Sequence, residues 1–294
     1  MYPALAVVAA LTTEHPQAEV LWVGSRKGLE REMVEQAGLA FASVSSGPLI
    51  GVGLPRAVLN VIRMAWGMLE AVRLVGRFQP DALFMTGGWA TVPVTLACYW
   101  RRVPILIYLP DIEPAGAIKA LSRYATHIAA TVSDSAAFFR EGLVVDTGYP
   151  VRPALLKAAG YNQLGQPEDG RERAREEARA FFALDEDLPT LLVFGGSRGA
   201  RSINQALNAA LPDLLIDCQI IHISGRLDWP WVSQGAERLA PGVAQRYHPY
   251  PYLHSEQMAL ALAVADLVVA RSGAGTLGEF PLFELPAILV PYPH

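Results

Sequence analysis

The chain has 294 residues, 52% of them hydrophobic and 18% charged, with a formal net charge of −4. That length suggests two domains rather than one, each with enough apolar sequence for a sizeable core. The acidic balance excludes nonspecific nucleic-acid binding, and the two distant cysteines in apolar contexts, Cys98 and Cys218, read as reduced, buried thiols of a cytoplasmic protein rather than a disulfide framework or a metal set.

In chain order, an apolar helix over 3–13 leads to a strand over 18–23, a helix over 27–37 and a strand over 41–45. A long helix over 54–78, a strand over 82–85, a helix over 92–99 and a strand over 105–108 follow. Such alternation builds a parallel sheet with helices on both faces. No basic segment precedes the first apolar run, which argues against a signal peptide. Residues 82–100 are uncharged and nearly of bilayer length, but Gly87, Gly88 and Pro93 divide them into strand, glycine turn and buried helix. In the 54–78 helix, Arg56, Arg63, Arg73 and Arg77 fall within roughly a third of the circumference, near Met64, Trp66 and Met68. A basic and apolar surface suits contact with an anionic membrane; core packing with arginines turned to solvent is the other reading.

The turn-rich segment over 144–153, VVDTGYPVRP, marks a domain crossing, with one domain over 1–147 and a second over 148–294. A polar loop over 160–170 and a charged helix over 171–184 come next, the latter with Glu–Arg pairs three apart that suit a solvated face. Asp185 and Asp187 have the spacing of a metal-binding pair but lie in a polar loop beside Pro189, and read as a solvated turn. Alternation resumes at Thr190 and reaches a strand over 287–291. The chain opens on a helix and closes on a strand, and a parallel strand ordinarily continues into a covering helix, so the sequence reads as a fragment of a longer enzyme.

Two segments of the second half carry chemistry. Residues 191–204, LLVFGGSRGARSIN, run from a buried strand through Gly195, Gly196 and Gly199 into a helix. Glycines let the backbone approach a ligand closely, and the N–H groups and dipole at a helix start favour an anion there. No Gly-Lys-Ser/Thr follows, so this is not the nucleotide-hydrolase loop; the same pattern also serves a strand-to-helix turn with no ligand. Residues 267–279, LVVARSGAGTLGE, repeat the design with Ser272, Gly273 and Gly275, a helix near Thr276, and Glu279 in its first turns. A carboxylate there can accept from vicinal ribose hydroxyls, or simply complement the helix start. Two such turns suggest one nucleotide held at neighbouring strand ends. His222 and His248 read as structural, Arg226 as a surface arginine within reach of a nucleotide cleft, and the Trp229–Trp231 pair has no evident role.

Several motifs in order resemble the MurG-type N-acetylglucosaminyltransferase family, over nearly the whole chain. Tyr2-Pro3-Ala4-Leu5-Ala6 resembles the start of the family's first helix, and Gly87-Gly88 with Pro93 its M-G-G-Y-x-x-x-P turn. Gly148-Tyr149-Pro150-Val151-Arg152 resembles G-N-P-V-R, and Gly195-Gly196-Ser197-Arg198-Gly199-Ala200-Arg201 with Asn204 resembles G-G-S-Q-G-A-R and its following asparagine. Arg271-Ser272-Gly273-Ala274 with Thr276 and Glu279 resembles R-S-G-A-x-T-x-x-E, and Pro291 to His294 resembles P-F-x-H.

The resemblance implies an α/β fold of two Rossmann-like domains of the glycosyltransferase-B type, with parallel sheets flanked by helices. It implies UDP-N-acetylglucosamine as donor, no required cofactor or metal, and inverting transfer to undecaprenyl-linked muramyl peptide, lipid I to lipid II, in peptidoglycan synthesis. By match, Gly196, Ser197, Arg198 and Gly199 would face the diphosphate with Arg152, Glu279 the ribose, and the Leu253 backbone the uracil. Ser272, Gly273, Ala274 and Thr276 would complete the donor site, and Gly87 and Gly88 would lie on the acceptor side. The resemblance further implies a cytoplasmic protein peripheral on the inner face of the cell membrane, active in cell division and cell shape. The family's G-G-T-G-G-H loop, with a proposed base, and its D-x-Q-x-x-N segment are absent from the sequence, so the polypeptide is expected to have little activity. The family's H-E-Q-N-A-I-P-G loop is here Tyr108 to Ala115, where Asp111 replaces the asparagine and Glu113 is new. These two carboxylates are candidate bases or loop residues capping the next helix. A galactolipid-type UDP-sugar transferase and a noncatalytic nucleotide-sugar-binding protein are the competing functions.

Overall fold

The computed structural model describes residues 2–26, 30–48, 52–196 and 199–291, and for Leu54 the backbone alone. The chain forms two compact units, Met1–Pro150 and Val151–His294.

Unit 1 contains α1 (Tyr2–Glu14), β1 (Leu21–Ser25), α2 (Glu30–Gln36), β2 (Ala40–Val44), α3 (Leu54–Phe78), β3 (Leu83–Met85), α4 (Thr91–Trp100), β4 (Ile105–Leu109), α5 (Gly116–Leu121), β5 (His127–Ala130) and β6 (Val144–Asp146). Every pairing is parallel, but the described strands form two sheets: β1-β2 and β3-β4-β5-β6. The first strand lies later than 18–23, because a turn in which Ala18 N–H donates to His15 C=O still occupies its expected start. Part of the expected 27–37 helix, Lys27 to Leu29, is outside the described residues. The long helix has its expected bounds for identifiable reasons. Pro55 sits in its first turn, and Gln79, in the left-handed region at φ 51°, donates to Val75 C=O ahead of Pro80. The C-terminal part of α3 packs Ala71 and Val75 onto a core with Met85, Val94, Ile107 and Ile128.

Unit 2 contains α6 (Pro153–Ala158), α7 (Arg171–Phe182), β7 (Thr190–Phe194), α8 (Arg201–Asp217), β8 (Gln219–Ile223), α9 (Trp229–Ala236), α10 (Pro241–Ala244), β9 (Tyr247–Tyr250), α11 (Ser255–Val264), β10 (Leu267–Arg271), α12 (Ala274–Glu279) and β11 (Ala287–Val290). Its parallel sheet has the order β11-β10-β7-β8-β9. Side chains alternate between two cores, one on each face. Leu192, Phe194, Ile221 and Ile223 meet α6, α7 and α11, whereas Leu191, Val193 and Ile220 meet α8. β7 and β8 are buried throughout, as central strands covered on both faces should be.

Three expectations need correction. α7 ends at Phe182, where Ala183 enters the left-handed region, and its arginines pair outside the helix: Arg171 with Glu284 at 2.9 Å and Arg175 with Asp266 at 3.7 Å. Cys218 is half-buried at the end of α8, while Cys98 is buried with its thiol pushed up to about 11 by burial. α12 begins at Ala274, two residues before the expected start near Thr276, and Glu279 is its last residue, within its first two turns.

Candidate functional site: a double glycine turn beside a buried ion pair

β7 and β10 are neighbours in register, Phe194 opposite Ala270, so their carboxyl ends release the two glycine turns side by side. In the first turn Gly196 and Gly199 have φ of +87° and +77°, and Gly199 N–H donates to Gly196 C=O at 2.9 Å. A Cβ on Gly195 would stand 2.2 Å from the Ala200 nitrogen, and one on Gly199 would stand 2.4 Å from the Ser224 carbonyl oxygen. Gly196 is different: it is exposed, with nothing within 4 Å of a Cβ position. The turn thus closes tightly on its protein side and opens outward at Gly196. Ser197 and Arg198, at its tip, lie outside the described residues. α8 then begins at Arg201 with no side-chain cap on its first N–H groups, and its 17 residues give it a substantial dipole.

The second turn is self-contained. Thr276 Oγ1 donates to Gly273 C=O at 2.7 Å and accepts from Gly273 N–H at 3.1 Å, which closes Gly273–Thr276 on itself. Ser272 N–H donates to Val290 C=O at 3.1 Å, and the Arg271 guanidinium reaches Ser202 Oγ at 2.8 Å. Arg271 therefore ties the end of β10 to the first turn of α8. Ser272 and Gly273 are exposed and Ala274 is half-buried.

Arg152 and Glu279 lie together in unit 2. Glu279 Oε1 accepts from Arg152 Nε at 3.1 Å and Nη2 at 3.0 Å, and Arg152 Nη1 approaches Ser255 Oγ at 3.4 Å. Both side chains are largely buried, at 15% and 11% exposure. Burial pushes the Glu279 carboxyl above the ordinary glutamate value, and Arg152 opposes that rise only in part. Leu253 is buried in the core beneath α11, and His254, at that helix's N-cap position, donates its backbone N–H to Gln257 Oε1 at 3.0 Å. The Arg226 guanidinium sits 5.6 Å from the Tyr252 ring centroid, a cation–π pair close to Leu253 in sequence.

A buried polar cluster that the sequence reading saw only in part supports the first turn. Asn204 donates from Nδ2 to Ser224 C=O at 2.8 Å and to Asp228 Oδ2 at 2.9 Å, while its Oδ1 lies 3.0 Å from His222 Nε2. His222 Nδ1 is 2.7 Å from the Tyr247 hydroxyl. Since Ser224 C=O is the atom pressed against Gly199, Asn204 locks the turn's far wall. His222 is pushed down to about 4, by burial first and against the pull of Asp228, so it is neutral and structural. The missed partners, Tyr247 and Asp228, carry no local signal; Asn204, in the first turn of α8, entered the sequence analysis only through the family motif.

In unit 1, Gly87 and Gly88 have φ of +96° and +95°, and Gly88 C=O accepts from Thr91 Oγ1 at 2.7 Å at the start of α4. Asp111 and Glu113 are exposed, and α5 begins after Ala115 with no side-chain cap, so neither carboxylate caps it. Along α3, Val58, Leu59, Val61, Ile62, Trp66 and Leu69 are exposed, as are all four arginines, while Met64 and Met68 are half-buried. Asp185 Oδ1 accepts from Asp187 N–H at 3.0 Å, a closed Asx turn. Among the described residues no helix is long and apolar enough to cross a membrane, and no group of His, Cys, Asp or Glu could hold a metal ion.

Residues 1–130 match the glycosyltransferase family 28 N-terminal domain, and residues 190–294 the family 28 C-terminal domain. The UDP-N-acetylglucosamine--N-acetylmuramyl-(pentapeptide) pyrophosphoryl-undecaprenol N-acetylglucosamine transferase of Roseiflexus sp. (strain RS-1) is 37% identical, over all of this chain and 75% of its own length. Its namesake from Symbiobacterium thermophilum is 34% identical, over all of this chain and 74% of its own length. The crystal structure of Acinetobacter baumannii MurG superposes with a TM-score of 0.69 at 23% identity, over 99% of this chain and 75% of that one. A Neisseria meningitidis UDP-GlcNAc 2-epimerase bound to UDP-GlcNAc gives 0.65 at 11% identity, over 98% and 78%. The two units are thus Rossmann-like, of the glycosyltransferase-B type. The chain belongs to the MurG family of glycosyltransferase family 28.

Proposed function

We propose that this chain transfers N-acetylglucosamine from UDP-N-acetylglucosamine to undecaprenyl-linked muramyl peptide, with inversion, converting lipid I to lipid II in peptidoglycan synthesis. Membership of the family gives the reaction, and the register of β7 against β10 is the observation that carries the donor site: it sets two glycine turns side by side at one end of the sheet. Carboxyl ends of parallel strands are where α/β sheets bind nucleotides.

In this reading the donor's diphosphate lies against Gly196, Ser197, Arg198 and Gly199 at the start of α8. Ser272, Gly273, Ala274 and Thr276 form the adjoining wall, Glu279 holds the ribose hydroxyls, and the Leu253 backbone meets uracil. Arg152 serves the phosphates while its bonds to Glu279 aim that carboxylate and partly offset the cost of burying its charge. The acceptor's 4-hydroxyl attacks the anomeric carbon, and Asp111 or Glu113 takes its proton. The bond from that carbon to the UDP oxygen breaks on the opposite face. Negative charge growing on UDP is stabilised by the α8 dipole and Arg152, without a metal or a cofactor. Gly87 and Gly88 belong to the acceptor side. The exposed apolar and arginine-bearing side of α3 supports peripheral contact with the inner face of the cell membrane, where a lipid-linked acceptor resides. Roles in cell division and cell shape follow from the product.

Calorimetry with UDP, UDP-N-acetylglucosamine and UDP-galactose tests the donor, and transfer of labelled N-acetylglucosamine to a soluble lipid I analogue tests the reaction. Tighter binding of UDP-galactose would overturn the assignment in favour of a galactolipid synthase, and donor binding without transfer would leave a nucleotide-sugar-binding protein.

A further inference from the structure

β8 and β9 end in register, Ile223 opposite Tyr250, and Ser224 N–H donates to Tyr250 C=O at 3.0 Å. The two segments that follow therefore leave the same end of the unit 2 sheet side by side. The first, Ser224 to Arg226, starts against the first glycine turn: a Cβ on Gly199 would stand 2.4 Å from the Ser224 carbonyl oxygen and 3.3 Å from Gly225 Cα. Gly225, at φ +80°, turns the chain, and the Arg226 guanidinium comes to 5.6 Å from the Tyr252 ring centroid. One short segment thus runs from the wall of the proposed diphosphate turn to the residue before Leu253.

The second segment is anchored in its middle. Leu253 is buried, while Tyr252 is half-buried and His254 exposed. The Tyr252 and His254 rings meet at 5.3 Å with planes at 88°, an edge-to-face arrangement that fixes the tilt of both. Arg226 is exposed, and among the described residues it meets no carboxylate: Asp228, two residues on, turns its oxygens to Arg201 at 3.4 Å and to Asn204 at 2.9 Å. The Tyr252 ring holds the charge of Arg226 and leaves its N–H donors free for a ligand. A planar cation and two rings beside a backbone N–H and C=O form a surface for a flat heterocycle. A guanidinium can only donate, and position 4 of a pyrimidine carries a carbonyl acceptor in uracil but an amino donor in cytosine. A donor aimed at that position takes the first base and rejects the second, whose amino group would face it unmatched.

We propose that Arg226 selects the nucleobase: braced on Tyr252, its guanidinium donates to the position-4 carbonyl of a uracil at the Leu253 backbone and so sets uridine above cytidine nucleotides. This role rests on the reading of unit 2 as a UDP-sugar site and adds to it the side chain that reads the base. Tyr252 is a positioning residue that acts through Arg226, and His254 fixes the Tyr252 ring in turn.

Calorimetry with UDP and CDP tests this, since the two share ribose and diphosphate and their ratio of affinities isolates the base. Wild type should bind UDP at least about ten-fold more tightly than CDP. Arg226→Met keeps an unbranched stem and removes the donors; Arg226 is exposed, so the melting temperature should stay within about two degrees of wild type. That variant should weaken UDP about ten-fold and leave CDP within about two-fold, which removes most of the preference. Tyr252→Leu should narrow the preference as well, and the double variant should narrow it no further than Arg226→Met alone, because the two side chains act as one unit. Equal weakening of UDP and CDP by Arg226→Met would make Arg226 a general cation for phosphate and overturn the proposal. A preference that survives the substitution would overturn it too. Wild type that binds neither nucleotide would sink the donor site itself, whereas wild type that binds both alike would sink base selection alone.

Discussion

Glu279 accepts from Arg152, 127 residues earlier in the chain, through a single oxygen, Oε1, which meets both Nε and Nη2. The proposed ribose ligand and the proposed phosphate ligand are therefore one electrostatic unit. Removing either takes the opposite charge away from a largely buried group, a loss of about 3–5 kcal/mol for fully buried pairs. Glu279→Gln should lower stability by that order and weaken UDP about ten-fold or more. Urea unfolding and calorimetry measure the two effects, and unchanged UDP affinity would remove Glu279 from the ribose.

The same carboxyl gives a pH signature. Its native value lies above the ordinary 4.5, because burial outweighs Arg152. The native state then holds a proton that the unfolded chain has released, so stability falls as pH rises from 4.5 through the native value. Wild type should lose stability relative to Glu279→Gln across that window, and the gap should stay constant above it. Thermal melts of both proteins at steps of pH decide this.

His222 works in the opposite sense. Its native value of about 4 lies below the ordinary 6.5, so the unfolded state binds the proton first. Its stabilising contribution is complete above 6.5 and is lost as pH falls towards 4, a change of about 3 kcal/mol. His222→Gln should flatten the acid limb of the stability curve between those values. An unchanged limb would place the acid sensitivity elsewhere.

Much of this was legible in sequence because periodicity and punctuation act locally. The bounds of α3 follow from Pro55, Gln79 and Pro80, and the glycines of the first turn announce the approaches found at Gly195 and Gly199. Long-range pairing left no such trace. Nothing local tells Arg152 that Glu279 will face it, or Asn204 that His222 and Asp228 will close around its amide. Arg171 and Arg175 do lie on the largely solvated face expected of α7, but their partners there, Glu284 and Asp266, are distant in sequence.

The two glycine turns should respond differently to alanine. At Gly195 an added Cβ meets backbone nitrogen at 2.2 Å, which no side-chain shift relieves. At Gly273 φ is −128° and nothing lies within 4 Å. Gly195→Ala should cost on the order of 2 kcal/mol or more and abolish UDP binding, while Gly273→Ala should alter stability by less than about 0.5 kcal/mol. Equal effects in chemical denaturation would contradict the close packing of the first turn.

The outward side of α3 predicts a surface effect without a folding effect. Ile62 and Trp66 are 63% and 57% exposed, so replacing both with serine removes little packing. Binding to anionic lipid vesicles should fall about ten-fold or more, with the melting temperature within a degree or two of wild type. Added salt should weaken binding as well, through Arg56, Arg63, Arg73 and Arg77. Co-sedimentation at two ionic strengths reads both, and retention of full binding by the double variant would assign membrane contact to another surface.

Asp111 and Glu113 separate catalysis from donor binding. Both are exposed in unit 1, whereas the proposed donor residues belong to unit 2. A positioned base contributes about 10²–10⁴-fold to rate. Asp111→Asn and Glu113→Gln, made singly, should therefore distinguish the base from its neighbour: one should lose transfer by that factor and the other should lose less than about ten-fold. Neither should change UDP affinity, and the damaged variant should lose the acid limb of the pH–rate profile, since that limb reports the base's own protonation. If both singles and the double keep the wild-type rate, the proton leaves through a different group and the exposed carboxylates are only loop residues between β4 and α5.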